Sequence, residues 1–334
     1  MNENKKVMLP YSDSPYTQMY HNEAFSLGII QANAQTDITP WLCGKFVNCF
    51  FSPIYNNQFK ILWHDNWAEE DGILTNQRIN LLIETFQQFP YGYLDLLKRM
   101  IDLGGYPHGD YNEEYIPGKV AYQLKHYQHD FLLFGYDDEK QLFSSAGYLK
   151  DGRFQKFFIP YENMVKSIST LKRDRVALNF WKYNQDADFS LRPAAVIEHL
   201  RAYLRSEATP KTFKKDSYFG FEAIEQLAHY YRKTALEKGF VDIRYTRGLM
   251  EHKFFMQKRI EYFSLKGYLT NDKSFLIAED VYQTSQTIHF LALKYLMTRR
   301  QSSLDLALEK ILETVEKEKE YLPQVLVDLE SRFG

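Results

Sequence analysis

The sequence predicts an α+β domain of helices and antiparallel strands over residues 1–187, followed by an all-helical domain over 188–334. Turn residues and short aromatic or β-branched runs dominate up to about residue 187. Beyond Ser190 the periodicity becomes helical, glycines thin out, and only two prolines follow Pro193. With 334 residues, 45% of them apolar and 16% aromatic, the chain has enough material for two cores.

The first domain opens with a helix over Glu23 to Ala34, carrying Phe25, Leu27, Ile29 and Ile30. Thr39-Pro40 then caps and starts a second helix running through Phe50. Phe59 to Trp63 reads as extended. Helices are expected over Asn76 to Phe86 and over Tyr93 to Leu103, the latter stopped by Gly104-Gly105. His129 to Phe134 reads as a buried strand, and the polar run Gly135 to Lys140 turns it into a second strand, Gln141 to Ser145. Asp151-Gly152 makes the next turn into a strand over Arg153 to Ile159. A helix over Tyr161 to Ile168 and a strand over Val176 to Lys182 complete a small antiparallel sheet.

In the second domain, helices are expected over Pro193 to Leu204, Phe221 to Lys238, Thr246 to Lys266, Asp280 to Arg299 and Ser303 to Tyr321. The last carries Glu and Lys at i,i+4 spacing, the mark of a solvated face. Glu251-His252-Lys253, Arg259 and Glu261 alternate with Leu249, Phe254, Phe255, Met256 and Ile260, as an amphipathic packing helix requires.

Charge narrows the partners. Lys and Arg total 41 against 43 Asp and Glu, so no global positive field is available to hold polyphosphate, and nucleic acid is not an expected partner. Two cysteines cannot build a disulfide framework, and the opening residues lack the apolar core of a signal peptide. No run approaches the length of a membrane span, so no membrane association is expected and the cytoplasm is the expected compartment. Gly104-Gly105 is not followed by the Lys-Ser/Thr of a phosphate loop, and no cofactor is expected. His126 and His129 form an H-x-x-H pair beside Asp130, with His108 and Asp110 nearby; on a strand an i,i+3 pair faces opposite sides, so no metal centre is expected from it.

The most distinctive stretch runs from His129-Asp130-Phe131-Leu132-Leu133-Phe134-Gly135-Tyr136-Asp137 through Phe143, Gly147-Tyr148, Gly152 and Phe154 to Tyr161. Ahead of it stand Tyr20-His21-Asn22-Glu23-Ala24, Thr39-Pro40-Trp41 and Asn112-Glu113-Glu114-Tyr115-Ile116-Pro117. Together these resemble the butirosin biosynthesis protein H N-terminal family over residues 15–170. The resemblance implies a papain-like fold, in which a His opening a central strand faces a thiol at the N-terminus of the first helix and lowers its pKa. It also implies transfer of an acyl group from a carrier-protein thioester to an amine, in natural-product pathways such as nonribosomal peptide biosynthesis. His129 is then the base.

Two positions depart from the family pattern. The thiol position, four residues before Ala24, holds Tyr20, and no cysteine precedes Cys43. The third position of the triad, on the strand after the His hairpin, falls at Ser145, whose hydroxyl cannot hold an imidazolium by charge. Tyr20 and Cys43 therefore join His129 as the candidate catalytic residues. Cys43 gains from a nearby helix N-terminus. Flanked by Trp41, Leu42 and Phe46, however, such a cysteine is more often a small buried core residue, and so is Cys49 beside Phe50 and Phe51. Asp130, Glu114 and Tyr115 are the candidate substrate-binding residues, although Asp110, Glu113 and Glu114 also read as a solvated acidic loop.

Two functions compete. One is an acyltransferase or thioesterase acting on carrier-bound acyl or peptidyl groups; the other is an inactive homologue that binds a carrier protein, a small molecule, a peptide or a biosynthetic partner. Cysteine reactivity separates them, because a fast, His129-dependent thiol belongs only to the first.

Overall fold

The computed structural model describes residues 5–53, 58–61, 71–209, 216–271 and 273–334. It is α+β, with antiparallel sheets, ten α-helices among the described residues and a helical C-terminal region. In chain order the elements begin with β1 (Lys6–Met8), α1 (His21–Asn33), α2 (Thr39–Leu42), β2 (Cys49–Ser52), β3 (Gln58–Ile61) and β4 (Leu74–Leu82). There follow α3 (Ile83–Gln88), α4 (Pro90–Asp102), β5 (Gly105–Asn112), a 3-10 turn (Glu113–Tyr115), β6 (Gln128–Asp137), β7 (Leu142–Tyr148), β8 (Phe154–Pro160), α5 (Tyr161–Ser169) and β9 (Arg175–Tyr183). The chain ends with α6 (Pro193–Leu204), β10 (Tyr218–Phe219), α7 (Gly220–Lys238), α8 (Ile243–Leu265), α9 (Lys273–Thr298) and α10 (Gln301–Phe333).

Two compact units emerge, Met1–Gln35 with Ala68–Asp188, and Thr36–Trp67 with Phe189–Gly334. Their junction after Asp188 lies at the change of periodicity read from the sequence. The segment 36–67 belongs with the helical unit.

In the first unit a seven-stranded antiparallel sheet runs β4-β9-β5-β6-β7-β8, with β1 added along β6. β5 pairs with the first half of β6 and β1 with the second, Lys6 to Met8 against Asp137 to Gly135. Gly135 is needed there, because a Cβ would sit 2.7 Å from the Val7 carbonyl oxygen. One face of the sheet carries Tyr111, Phe131, Leu133 and Leu178, buried against Leu94, Leu97 and Ile101 of α4 and Met164 and Ile168 of α5. Each fully buried side chain of this size contributes about 1.5–3 kcal/mol. The opposite face meets α1, where Tyr11 stacks on Phe134 and donates to the Ala24 carbonyl, and Phe25 meets His108 edge-on.

The second unit holds the three-stranded sheet β10-β2-β3 and helices α6 to α10. Helix α8 starts at Asp242, whose carboxylate accepts the Arg244 N–H, and α7 ends at Gly239 in the left-handed conformation. Its interior contains a fully buried ion pair, Lys253 Nζ to Glu318 Oε2 at 2.6 Å, joined by the Tyr203 hydroxyl. Among the described residues no helix is long and apolar enough to cross a membrane.

Several elements differ from their sequence reading. The helix expected from Thr39 to Phe50 stops at Leu42, because Phe46 takes a positive φ of 55° and the aromatic run from Cys49 pairs between β3 and β10. Of the residues expected as a helix over 76–86, those up to Leu82 belong to β4, whose ladder to β9 runs from Leu74 opposite Tyr183 to Leu82 opposite Arg175, and only the rest begin α3. Local pattern is overridden there by an edge pairing. Gly104-Gly105 does end α4, but Gly105 also begins a central strand. A Cβ at Gly105 would meet the Phe180 ring at 1.7 Å, so this glycine permits close approach of a neighbouring strand. The last helix continues past Tyr321 through Pro323 to Phe333.

Candidate functional site

The β5–β6 register sets the site. Tyr111 pairs with His129, Asp110 with Asp130 and His108 with Leu132, so His108 and Asp130 lie diagonally on one face. At the last residue of β5, Asn112 caps the 3-10 turn by accepting the Glu114 N–H at 3.2 Å and also accepts the Tyr127 N–H at 3.1 Å. Glu113 N–H donates to the Tyr127 carbonyl at 2.8 Å, which folds Glu113 back over the start of β6. Helix α1 begins opposite, after Tyr20 in extended conformation.

His129 Nδ1 lies 3.0 Å from Glu113 Oε1. A carboxylate at that distance fixes the proton on Nδ1, which donates. Nε2 is then the acceptor nitrogen, 3.6 Å from Asp130 Oδ1. The His21 ring, at the first residue of α1, has its centroid 4.4 Å from that of His129, and His21 Nδ1 donates to Asp130 Oδ1 at 2.9 Å. His21 Nε2 accepts the Tyr148 N–H at 3.5 Å. His108 Nε2 lies 3.4 Å from Asp130 Oδ2, while its Nδ1 faces the Asn179 amide at 3.4 Å. Lys119, with 1% of its side chain exposed, donates to the Tyr148 carbonyl at 2.9 Å and sits 3.6 Å from Glu113 Oε1.

These contacts settle the charges. Burial would raise the Asp130 carboxyl, but the hydrogen bonds from His108 and His21 hold it well below the usual carboxylate range. Burial likewise opposes ionisation of Glu113, and the His129 hydrogen bond with the Lys119 charge outweighs it, so Glu113 is lowered. Burial lowers His21, against the pull of Asp130. Burial lowers Lys119, and Glu113 works against that. His129 is the group open to solvent, with 37% of its side chain exposed. The arrangement is an oriented imidazole with a free lone pair, flanked by two ionised carboxylates. Such a group accepts a proton, and the flanking charges stabilise the imidazolium that results.

Of the residues expected from the sequence, His129 and Asp130 stand together in this cluster. Tyr20 is the half-buried N-cap of α1, its carbonyl accepting the Ala24 N–H at 3.1 Å, and the next residue, His21, sets its ring against that of His129. Cys43 belongs to the other unit, buried at the end of α2, where its carbonyl accepts from Arg259 Nε at 2.7 Å. Burial pushes its thiol up to about 12, and that of Cys49 to about 12 as well. Glu114 and Tyr115 serve the turn, Glu114 through Asn112 and Tyr115 by accepting from Asn163 at 2.8 Å. Ser145 donates to the Leu132 carbonyl within the sheet at 2.9 Å, and the carboxylate on His129 is Glu113 instead.

Glu113, His21, His108 and Lys119 were not assigned roles from the sequence. Glu113 had a signal: an acidic pair capped by Asn112, one strand pairing away from His129. His21 had none, because 108 residues separate it from His129. One ligand atom each from His21, His129 and Asp130 lie within 4.8 Å of one another, a grouping able to hold a metal ion, whereas the sequence offered the His126–His129 pair with Asp130, His108 and Asp110 and gave no place to His21. Compared with known proteins, the chain matches no family model and no curated protein.

Proposed function

We propose that the first unit is a divergent papain-like acyl-transfer domain that acts on carrier-bound acyl or peptidyl thioesters without a thiol of its own. The observation that carries this reading is the part-exposed His129 held at 3.0 Å by Glu113, its ring against that of His21 at the N-terminus of α1. The residue order supports a papain-like origin: a His on a central strand faces the start of the first helix. Both cysteines are buried in the other unit with raised pKa values, which argues against a covalent acyl-enzyme.

Transfer is then direct. As the amine or water attacks the thioester carbon, its proton passes to His129 Nε2; the C–S bond breaks, and the imidazolium returns the proton to the departing thiolate. Glu113 holds the ring and stabilises its charge.

A second reading is favoured by one observation, the buried His21 at the start of α1. A domain that kept the fold and filled that place with an imidazole would bind a carrier protein without catalysis. Release of free thiol from an acyl-pantetheinyl carrier, in the presence of an amine, separates the two. The transfer reading expects turnover that falls by about 10²–10⁴-fold in His129→Ala. Wild-type protein that binds the carrier but never exceeds the uncatalysed rate leaves the binding reading.

A further inference from the structure

We infer that His21, His129 and Asp130 form a binding site for a single divalent transition metal ion of the zinc class. The inference goes beyond the transfer reaction and does not depend on it.

Lone-pair arithmetic leads to this site. Glu113 fixes the His129 proton on Nδ1, so Nε2 presents a lone pair toward Asp130 Oδ1, itself an acceptor, at 3.6 Å. Two electron-rich atoms face each other outside hydrogen-bond range, and a cation between them satisfies both. His21 Nδ1 borders the same oxygen at 2.9 Å. In a tetrahedral site with metal–ligand bonds near 2.0–2.1 Å, donor atoms stand about 3.3 Å apart. The two distances, 2.9 and 3.6 Å, bracket that spacing, and all three donors lie within 4.8 Å of one another.

The surrounding groups are those that orient metal ligands. Glu113 receives the second N–H of His129, giving a carboxylate–histidine pair behind the ligand atom. His108 contacts Asp130 Oδ2 at 3.4 Å and leaves Oδ1 for the metal. Two imidazoles and one carboxylate make a donor set suited to zinc or cobalt and poorly suited to magnesium or calcium. His21 must move its proton to Nε2 to ligate, and the contacts given up are its 2.9 Å hydrogen bond to Asp130 Oδ1, which the metal replaces, and the 3.5 Å one from the Tyr148 N–H. Three protein ligands leave a fourth position of a tetrahedral site for water or another ligand.

The test is metal titration of untagged full-length protein, with zinc competed against a chromophoric chelator and cobalt followed by its visible d–d absorption. The expected result is one equivalent of zinc bound with submicromolar Kd and an intense tetrahedral cobalt spectrum. Asp130→Asn and His21→Ala should each weaken zinc by at least roughly 100-fold, and Glu113→Gln by about 10–100-fold, with His126→Ala unchanged. No zinc binding tighter than micromolar by the wild-type protein would overturn the inference without recourse to any variant. Equal affinity in wild type, Asp130→Asn and His21→Ala, each shown folded by circular dichroism, would overturn it too.

Discussion

His129 and Glu113 are joined across the end of the β5–β6 ladder by a 3.0 Å contact between Nδ1 and Oε1, and this contact decides which ring nitrogen is free. Replacing Glu113 with Gln keeps an acceptor there but removes the charge that stabilises the imidazolium. Transfer catalysed by Glu113→Gln should fall by roughly 10–100-fold in kcat with KM little changed, since the group touches no substrate. An unchanged kcat in steady-state assays of folded protein would remove Glu113 from the mechanism.

Metal occupancy and base catalysis compete for one lone pair. Stoichiometric zinc should therefore suppress transfer, and a chelator should restore it. Transfer stimulated by zinc would show that His129 is not the base, without affecting the measured binding.

Gly147 borders the cluster with φ of 155°, and a Cβ there would lie 3.1 Å from Lys119 Nζ and 3.4 Å from His21 Nε2. Gly147→Ala should cost about 1–3 kcal/mol, read from the urea midpoint of unfolding. A midpoint equal to wild type would show that Lys119 and His21 yield freely.

In the second unit the Lys253–Glu318 pair is sealed from water, with Tyr203 donating to Glu318 at 2.5 Å. Lys253→Met strands a buried carboxylate and should destabilise by about 3–5 kcal/mol. The double variant Lys253→Met with Glu318→Leu should recover much of that loss. Equal loss in both would mean that packing, not charge, holds the pair.

Acid should weaken the same unit. Burial lowers His252, whose Nε2 donates to the Val47 carbonyl at 2.9 Å, well below its ordinary value, and lowers His289 to about 4. Between pH 6.5 and about 4 the unfolded chain therefore binds protons that the folded chain refuses, so stability rises with pH across that window and falls on acidification. Each such histidine contributes a slope of up to about 1.4 kcal/mol per pH unit. Thermal melts from pH 7 to 4.5 check this, and a flat profile would contradict it.

The helical unit was largely legible because its long helices repeat one apolar stripe and end at Gly239 and Gly267, a signal that needs no partner to be read. The sheet was legible where strands ran apolar, as at Phe131 to Phe134, or alternated between turn residues, as in β8 and β9. β5 was hidden because Gly104-Gly105 read only as a helix stop; Gly105 is instead required by the Phe180 ring pressed against it. The site divided along the same line. His129 and Asp130 sit on a recognisable strand, whereas His21 and Glu113 acquire their chemistry only when α1 and the 3-10 turn close over that strand.

The central claim is that this site works without a protein thiol. The most direct measurement is the transfer rate of Cys43→Ala/Cys49→Ala beside that of His129→Ala, all three substitutions verified by circular dichroism. The double cysteine variant should retain wild-type turnover with no acyl adduct in intact mass spectra, while His129→Ala loses it. A folded double cysteine variant with no turnover, or an acylated Cys43 trapped in the wild type, would contradict the account.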